Sequence, residues 1–325
     1  MASHATGTVV AFSGVTKRFG DFTAIDALSF ALPRGCIAGF LGPNGAGKTT
    51  SLRMMLGILE PDKGEIRLLG HASIRGARRN IGYLPEERGL YKRMRAGSAI
   101  AYIGMLKGMT SAAARRRAAT LLDRFGLGAF ARVRIDGLSK GMAQKVQIIA
   151  SVVHDPEFVI LDEPFSGLDP VNQAELEIFI RELARSGTTV LFSTHTMEHA
   201  ERLCDRLIIL AAGRKLFDGT LEAARALLPR RARVAAEEDL AFLSGVAGVV
   251  RVLPPAEGRA FWQIELAEGA DGRTILAACF ERSIVPTHFD VAQPSLHEVF
   301  VTLVGPADGS ANGQLDGPSA RGETA

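Results

Sequence analysis

Gly42-Pro43-Asn44-Gly45-Ala46-Gly47-Lys48-Thr49 decides the reading of this chain. The eight residues fit the phosphate-loop pattern G-x-x-x-x-G-K-[ST]. An apolar stretch, Cys36-Ile-Ala-Gly-Phe-Leu41, leads in, and a helix-compatible run, Thr50-Ser-Leu-Arg-Met-Met-Leu56, leads out. Strand, loop and helix in that order are the context the pattern needs. The glycines let successive backbone N–H groups turn toward a phosphate with no Cβ in the way. The positive end of the following helix then faces the anion. Lys48 supplies a mobile charge for the β- and γ-phosphates of a nucleoside triphosphate, and Thr49 a hydroxyl for Mg2+. A glycine-rich turn that carried Lys-Thr by accident would seldom come with both flanks.

Outward from the loop, strands and helices alternate. Residues 8–33 alternate apolar and polar positions, as two antiparallel strands do. Gly64-Glu-Ile-Arg-Leu-Leu69 reads as a strand after the Pro61-Asp62 turn. A helical zone is expected from about 95 to 137, where Ala118, Leu121, Leu122 and Phe125 repeat at helical spacing and Ser111 suits an N-cap. Phe158-Val-Ile-Leu161 is an apolar run of buried-strand type. A helix over 173–186, with Leu176, Phe179, Ile180 and Leu183 on one face, stops at Gly187. Thr189–Ser193 and Leu207–Leu210 are further strands. The alternation predicts an α/β fold with a mostly parallel sheet covered by helices on both faces.

Composition shifts near Leu228-Pro229-Arg230-Arg231. From there to 304 the order strand, helix, strand, strand, helix, strand, helix suggests a small α+β ferredoxin-like domain. Its candidate strands are Arg233-Val234, Val249–Leu253, Phe261–Leu266 and Thr287–Val291. Residues 305–325, rich in Gly, Ala, Ser and Asp, are expected to be a disordered tail.

The chain has 325 residues, of which 47% are hydrophobic, enough for a substantial core, and a net charge of only +3. That small charge argues against binding nucleic acid by bulk electrostatics. Arg115-Arg116-Arg117 and Arg230-Arg231 read as solvated faces. The three cysteines, Cys36, Cys204 and Cys279, are scattered, which fits neither a disulfide framework nor a zinc site and does fit a reducing cytosol. The start, Met-Ala-Ser-His-Ala-Thr, has no basic or apolar leader pattern. Apolar runs such as Val146–Val153 fall far short of the ~18 residues of a membrane-spanning helix.

Phe158-Val-Ile-Leu-Asp162-Glu163 ends a strand in two carboxylates. An aspartate there can hold Mg2+, and the carboxylate beside it can polarise an attacking water as general base. Leu138-Ser139-Lys140-Gly141-Met142 precedes it, and Ser193-Thr194-His195 follows a later strand. With these motifs in this order, residues 8–222 strongly resemble the ATP-binding subunits of ABC transporters. Leu138–Met142 resembles their signature loop, Ser166-Gly167-Leu168-Asp169 their D-loop, and His195 their switch histidine. Ile81–Tyr91 and Leu161–Asn172 are similar to the sodium- or drug-efflux subfamily, whose members carry a small C-terminal domain that 230–304 would match.

The resemblance implies a P-loop ATPase with an antiparallel β subdomain and a helical subdomain at about 89–137. It implies two such subunits sandwiching two ATP molecules, and a separate integral-membrane permease docked on the helical zone. The second subunit would be identical or a paralogue. The chain itself would sit on the cytoplasmic face of the membrane as part of an exporter. Gly42, Asn44, Gly45, Gly47, Lys48, Thr49 and Thr50 would hold ATP; Thr49, Asp162 and Glu86 would hold Mg2+. Glu163 would be the general base and His195 would contact the γ-phosphate. Ser139 and Gly141 would reach the partner's γ-phosphate, and Asp169 would couple the two sites. Phe19 stands where the family places an aromatic on adenine, with Phe22 as rival. Four positions in three motifs depart from the family pattern. Glu86 replaces the Q-loop glutamine and adds charge near the γ-phosphate. Lys140 and Met142 alter the signature. Cys36 replaces an acidic residue and reads as a small buried hydrophobe. A soluble ABC ATPase acting on ribosomes or nucleic acid is the rival reading. A single cassette with no zinc module or long heptad run argues against it, and no nucleic-acid partner is expected.

Overall fold

A computed structural model describes residues 7–71, 74–87, 89–256 and 261–305. The segment expected to be a tail lies, apart from Gly305, outside the described residues. In chain order the first half contains β1 (Thr8–Phe19), β2 (Phe22–Pro33), β3 (Ile37–Leu41), α1 (Lys48–Met55), β4 (Lys63–Leu68), α2 (Ile74–Ala77) and β5 (Ile81–Leu84). Helices α3 (Ala96–Leu106), α4 (Ser111–Arg124) and α5 (Lys140–Val152) follow. Next come β6 (Phe158–Asp162), α6 (Pro170–Arg185), β7 (Thr189–Thr194), α7 (Met197–Leu203), β8 (Arg206–Ala211), β9 (Arg214–Gly219) and α8 (Leu221–Arg225). The last part holds β10 (Arg231–Ala235), β11 (Val249–Leu253), β12 (Trp262–Leu266), α9 (Arg273–Glu281), β13 (His288–Ala292) and α10 (Leu296–Val304).

The central sheet runs β5-β6-β7-β3-β8-β9, with only the edge strand β9 antiparallel to its neighbour. Every residue of β3, β6 and β7 is buried, as expected of strands covered on both faces. Alternate side chains feed two cores. Ala38, Phe40, Phe158, Ile160 and Leu191 join the core beneath the antiparallel sheet β2-β1-β4. Ile37, Val159, Leu161, Val190 and Phe192 join the core formed with α3 to α6. Phe30 ties the two sheets together, its ring 4.6 Å from that of Phe12 and 5.8 Å from that of Phe40.

Helix α4 starts at Ser111 but is capped by Thr110, whose hydroxyl accepts from Ala113 N–H. Both residues are cap-competent, and Thr110 is the one with extended backbone. Helix α6 begins three residues earlier than the apolar stripe suggests, because Asp169 caps it and Pro170 occupies its first position.

The four last strands form an antiparallel sheet ordered β11-β12-β10-β13, the split βαβ arrangement read from sequence. Its expected first helix shrinks to a single 3-10 turn at Ala241–Gly245. Its last helix packs its apolar face elsewhere and keeps a link to β10 through Glu298 and Arg231 at 3.4 Å. Leu296 and Val299 of α10 are fully buried with Leu41, Met197, Ala200 and Leu207 of the larger domain, not with the small domain's own core of Val234, Leu240, Ile264 and Ile275. The expected boundary at 304 therefore falls after α10, whereas the small domain's own packing ends with β13.

Candidate nucleotide site

β3 delivers the glycine loop, and α1 starts at Lys48. Two glycines are obligatory there. A Cβ on Gly42 would sit 2.5 Å from Leu210 O, and Gly47, at φ 98°, would place one 2.4 Å from Ile25 Cδ1. Parallel pairing aligns three strand ends at one edge of the sheet: Leu41 lies opposite Thr194, and Asp162 opposite Ser193. The loop, the Asp162-Glu163 pair and His195 thus meet at the carboxyl edge, where ligands bind in open α/β sheets.

A cavity of about 240 Å3 lies at this edge, lined by Asn44, Gly45, Gly47, Lys48, Thr49, Thr50, Glu86, Asp162 and Glu163. Phe22, Ala24 and Ala46 complete its wall. A second cavity of about 270 Å3 is lined by Asn44, Glu86, Glu163, Ser166 and His195. A larger one, about 480 Å3, opens between α4 and α6. Its charges are already paired, Arg117 with Asp155 and Arg124 with Glu182, and none of the motif residues lines it.

The charges in the site act on one another. Lys48 Nζ donates to Gly42 O at 2.6 Å and Pro43 O at 3.0 Å. Burial lowers its pKa, while Glu163, Asp162 and Glu86 oppose that shift. Asp162 is almost fully buried and its carboxyl is held above the usual range, first by desolvation and then by Glu86 and Glu163. The Ser193 hydroxyl, which donates to Asp162 Oδ1, and the weaker pull of Lys48 work the other way. Glu163 sits at φ 47°, a left-handed backbone conformation that costs a non-glycine residue energy and often marks functional positions. Its N–H is held by Ser193 Oγ at 3.1 Å and Ser193 O at 3.2 Å. Its Oε1 lies 2.9 Å from His195 Nδ1, with the histidine largely exposed and the glutamate nearly covered.

Thr49, Asp162 and Glu86 present hard oxygen donors to one cavity. Among the described residues no group of three or more His, Cys, Asp or Glu side chains could hold a metal. An Mg2+ ion would draw on oxygen donors of this kind, one or two carboxylates at a time, with water and substrate phosphates in its remaining positions.

The remaining sequence-derived residues lie elsewhere. Ser139 is exposed and caps α5, accepting from Met142 N–H at 3.3 Å. Gly141 faces Leu168 and Asn172, each 3.9 Å from where its Cβ would be. Asp169 accepts from Asn172 N–H at 3.0 Å. These three form a second surface and do not line the cavity of their own chain. Phe19 and its rival Phe22 are separated by the cavity. Phe19 is half exposed, has Lys17 Nζ 5.7 Å from its ring centre, and does not line the cavity; its cross-strand partner Phe22 does. Both aromatics flank the Gly20-Asp21 turn, so composition could not separate them.

Three supporting residues were not read from sequence. Ser193 holds both Asp162 and the Glu163 backbone. Gln147 Nε2 donates to Pro85 O at 3.4 Å and Glu87 O at 3.2 Å, fixing the loop that carries Glu86. Gln144 Nε2 reaches Pro164 O at 3.3 Å. Two polar residues buried in the apolar helix α5 were the available signal.

The ABC transporter family matches residues 25–166. The ATP-binding protein YhaQ of Bacillus subtilis is 39% identical over 292 residues, covering 90% of this chain and 97% of that protein. An alignment of that length extends beyond 222 into the small domain. Nod factor export ATP-binding protein I of Ralstonia nicotianae is 39% identical, covering 65% of this chain and 67% of its own. The solved structure of an ATP-binding subunit of an ABC transporter superposes with a TM-score of 0.64 at 32% identity, over 68% of this chain and 93% of that one.

Proposed function

This chain belongs to the ABC transporter ATP-binding proteins and is an ATPase; from that premise we propose that it powers a membrane exporter, driving a separate permease through ATP-dependent dimerisation. One observation carries the dimer: Ser139 and Gly141 of the signature loop do not line the chain's own ATP cavity, and Gly141 adjoins Asn172, the residue that Asp169 holds. A second subunit, facing this one, brings that loop to the phosphates. Ser139 offers a small hydroxyl there, and Gly141 a backbone that can approach closely.

Within one site the glycine loop and Lys48 hold the triphosphate, with Asn44, Thr49 and Thr50 around it. Glu163 takes a proton from the attacking water as the bond between the β- and γ-phosphates breaks. His195 fixes one oxygen of that carboxylate and stands beside the γ-phosphate position. Thr49, Asp162 and Glu86 would hold Mg2+, which would supply charge neutralisation at the phosphates. Phe22 is the aromatic that stacks on adenine.

The export direction is supported by the relative described as a Nod factor export protein. No described helix is long and apolar enough to cross a membrane, and the reading assigns the spanning part to another chain, with this one on its cytoplasmic face. The test is affinity purification of tagged Glu163→Gln protein from detergent-solubilised native membranes with ATP. A polytopic membrane protein at near-stoichiometric level supports the reading. Ribosomal proteins or nucleic acid with no permease would overturn it in favour of a soluble ABC ATPase.

A further inference from the structure

The chain's charge is unevenly distributed. Between residues 89 and 137, ten Lys and Arg stand against two acidic residues, Asp123 and Asp136, while the whole chain carries only +3. The rest of the protein is therefore net acidic, and the helical subdomain is a concentrated cationic lobe.

Part of this excess is built into one surface. The segment leading into α3 runs antiparallel beside the segment that follows α4. Ala96 N–H reaches Val133 O, Ile135 N–H reaches Met94 O and Asp136 N–H reaches Lys92 O, at 2.9 to 3.0 Å. Arg95 and Arg134 pair across this ribbon. Arg134 is answered by Asp136 at 2.8 Å. Lys92, Arg93, Arg95 and Arg132 are exposed and have no carboxylate partner among the described residues. Four unanswered cations thus stand on two adjoining segments. Two exposed aromatics lie next to them along the same segments: Tyr91, 62% exposed with its ring edge-on to Tyr102, and Phe130, 39% exposed.

We infer that this ribbon is a docking surface for the anionic lipid headgroups of the membrane, an inference that rests on the reading of the chain as a membrane-exporter subunit. Clustered cations gain from the negative surface potential of such a leaflet, and their long apolar stems let the charged ends reach outward. Tyr91 and Phe130 add the amphipathic rings that favour the headgroup level. A stack of aromatics along a groove, which single-stranded nucleic acid would use, is not what the ribbon offers: the Tyr91 ring is committed to Tyr102. The consequence is orientation. The lobe would hold the ATPase against the bilayer independently of its grip on the permease.

The test is co-sedimentation of the full-length protein with permease-free vesicles of phosphatidylcholine, with and without phosphatidylserine. Binding is expected only with phosphatidylserine and is expected to weaken as salt is raised. The triple substitution Lys92→Gln, Arg93→Gln, Arg95→Gln should lower partitioning by roughly 5-fold per cation removed, with basal ATP hydrolysis unchanged as the check on folding. Tyr91→Ala should give a smaller loss that persists at high salt. Equal binding to pure phosphatidylcholine would overturn the inference, as would wild-type sedimentation of the triple variant. So would retention of an RNA oligonucleotide in place of vesicles. Because the vesicles contain no permease, failure here leaves the exporter reading standing, and failure to recover a permease leaves this measurement interpretable.

Discussion

The central sheet and the small C-terminal sheet are built from similar strands and do opposite things with their polar residues. In the central sheet β3, β6 and β7 are parallel, so their last residues collect at one edge, and Lys48, Asp162, Glu163 and His195 end up around adjoining cavities. In the small sheet every neighbouring pair is antiparallel, so strand ends scatter to both edges. Its charges meet across the strands instead, Arg231 with Glu265 at 3.0 Å and Arg233 with Asp290 at 2.6 Å. Parallel topology concentrates uncompensated charge where a ligand can use it; antiparallel topology here neutralises charge pair by pair.

The sharpest way to break this contrast is to remove chemistry from the parallel edge. Glu163→Gln should lower ATP turnover roughly 10²- to 10⁴-fold while nucleotide still binds. Charge removal in the small sheet, Arg233→Ala, should leave turnover within about 2-fold, because that ion pair is partly exposed and lines neither cavity at the parallel edge. Steady-state hydrolysis of the two variants decides it, and near-normal turnover in Glu163→Gln would remove Glu163 as the base.

Helix α10 tests whether the two regions are as separate as their sheets suggest. Leu296 is fully buried in the larger domain's core, so Leu296→Ala should cost about 3 kcal/mol. The loss should appear in the unfolding of the ATPase domain. Ile275→Ala, in the small core, should move only the small domain's unfolding. Calorimetry of both variants separates the cases, and a Leu296→Ala effect confined to the small domain would put α10 back with its sequence neighbours.

Acid should also separate the regions. His154, between α5 and β6, has a pKa lowered from 6.5 to about 4, first by burial and then by the Lys107 charge. Its Nε2 lies 3.3 Å from Ile81 O. The unfolded chain takes up this proton near pH 6.5 and the folded chain only near 4, so stability falls as pH drops through that window. About 2 kcal/mol is at stake once partial solvent contact is allowed for. Denaturation of wild type and His154→Gln at pH 7 and pH 4.5 should show a smaller acid loss in the variant.

The smallest effect concerns the two aromatics of the β1–β2 turn. Phe22→Ala should weaken ATP binding by about 1 kcal/mol, and Phe19→Ala should leave it nearly unchanged. Titration of a fluorescent nucleotide reads both, and the reverse order would restore Phe19 to the site.

The central fold was legible because its signals are local. The glycine loop, the apolar runs of β3 and β6 and the Asp162-Glu163 end each sit within a few consecutive residues. What sequence missed depends on neighbours distant in the chain. Ser193 matters because register places it beside Asp162, 31 residues away. Gln147 matters because α5 passes beneath the loop bearing Glu86. Thr110 and Ser111 are chemically equivalent as caps, as Phe19 and Phe22 are as aromatics, and only backbone geometry tells the members of each pair apart. The small domain's strand order was readable from its alternation of elements. The departure of α10 was not, since an amphipathic helix does not name the core its apolar face enters.

The burial of α10 against α7 and α8 also bears on how the protein is made. A ribosome releases the glycine loop, β6 and His195 long before it releases Leu296. Until then the apolar flanks of α7 and α8 lack their cover, and Glu201, which accepts from the Leu296 N–H, lacks that partner. The ATPase domain therefore closes last at a point supplied by α10, and a nascent chain interrupted within the small sheet carries every residue of the candidate site in a domain whose core is still open.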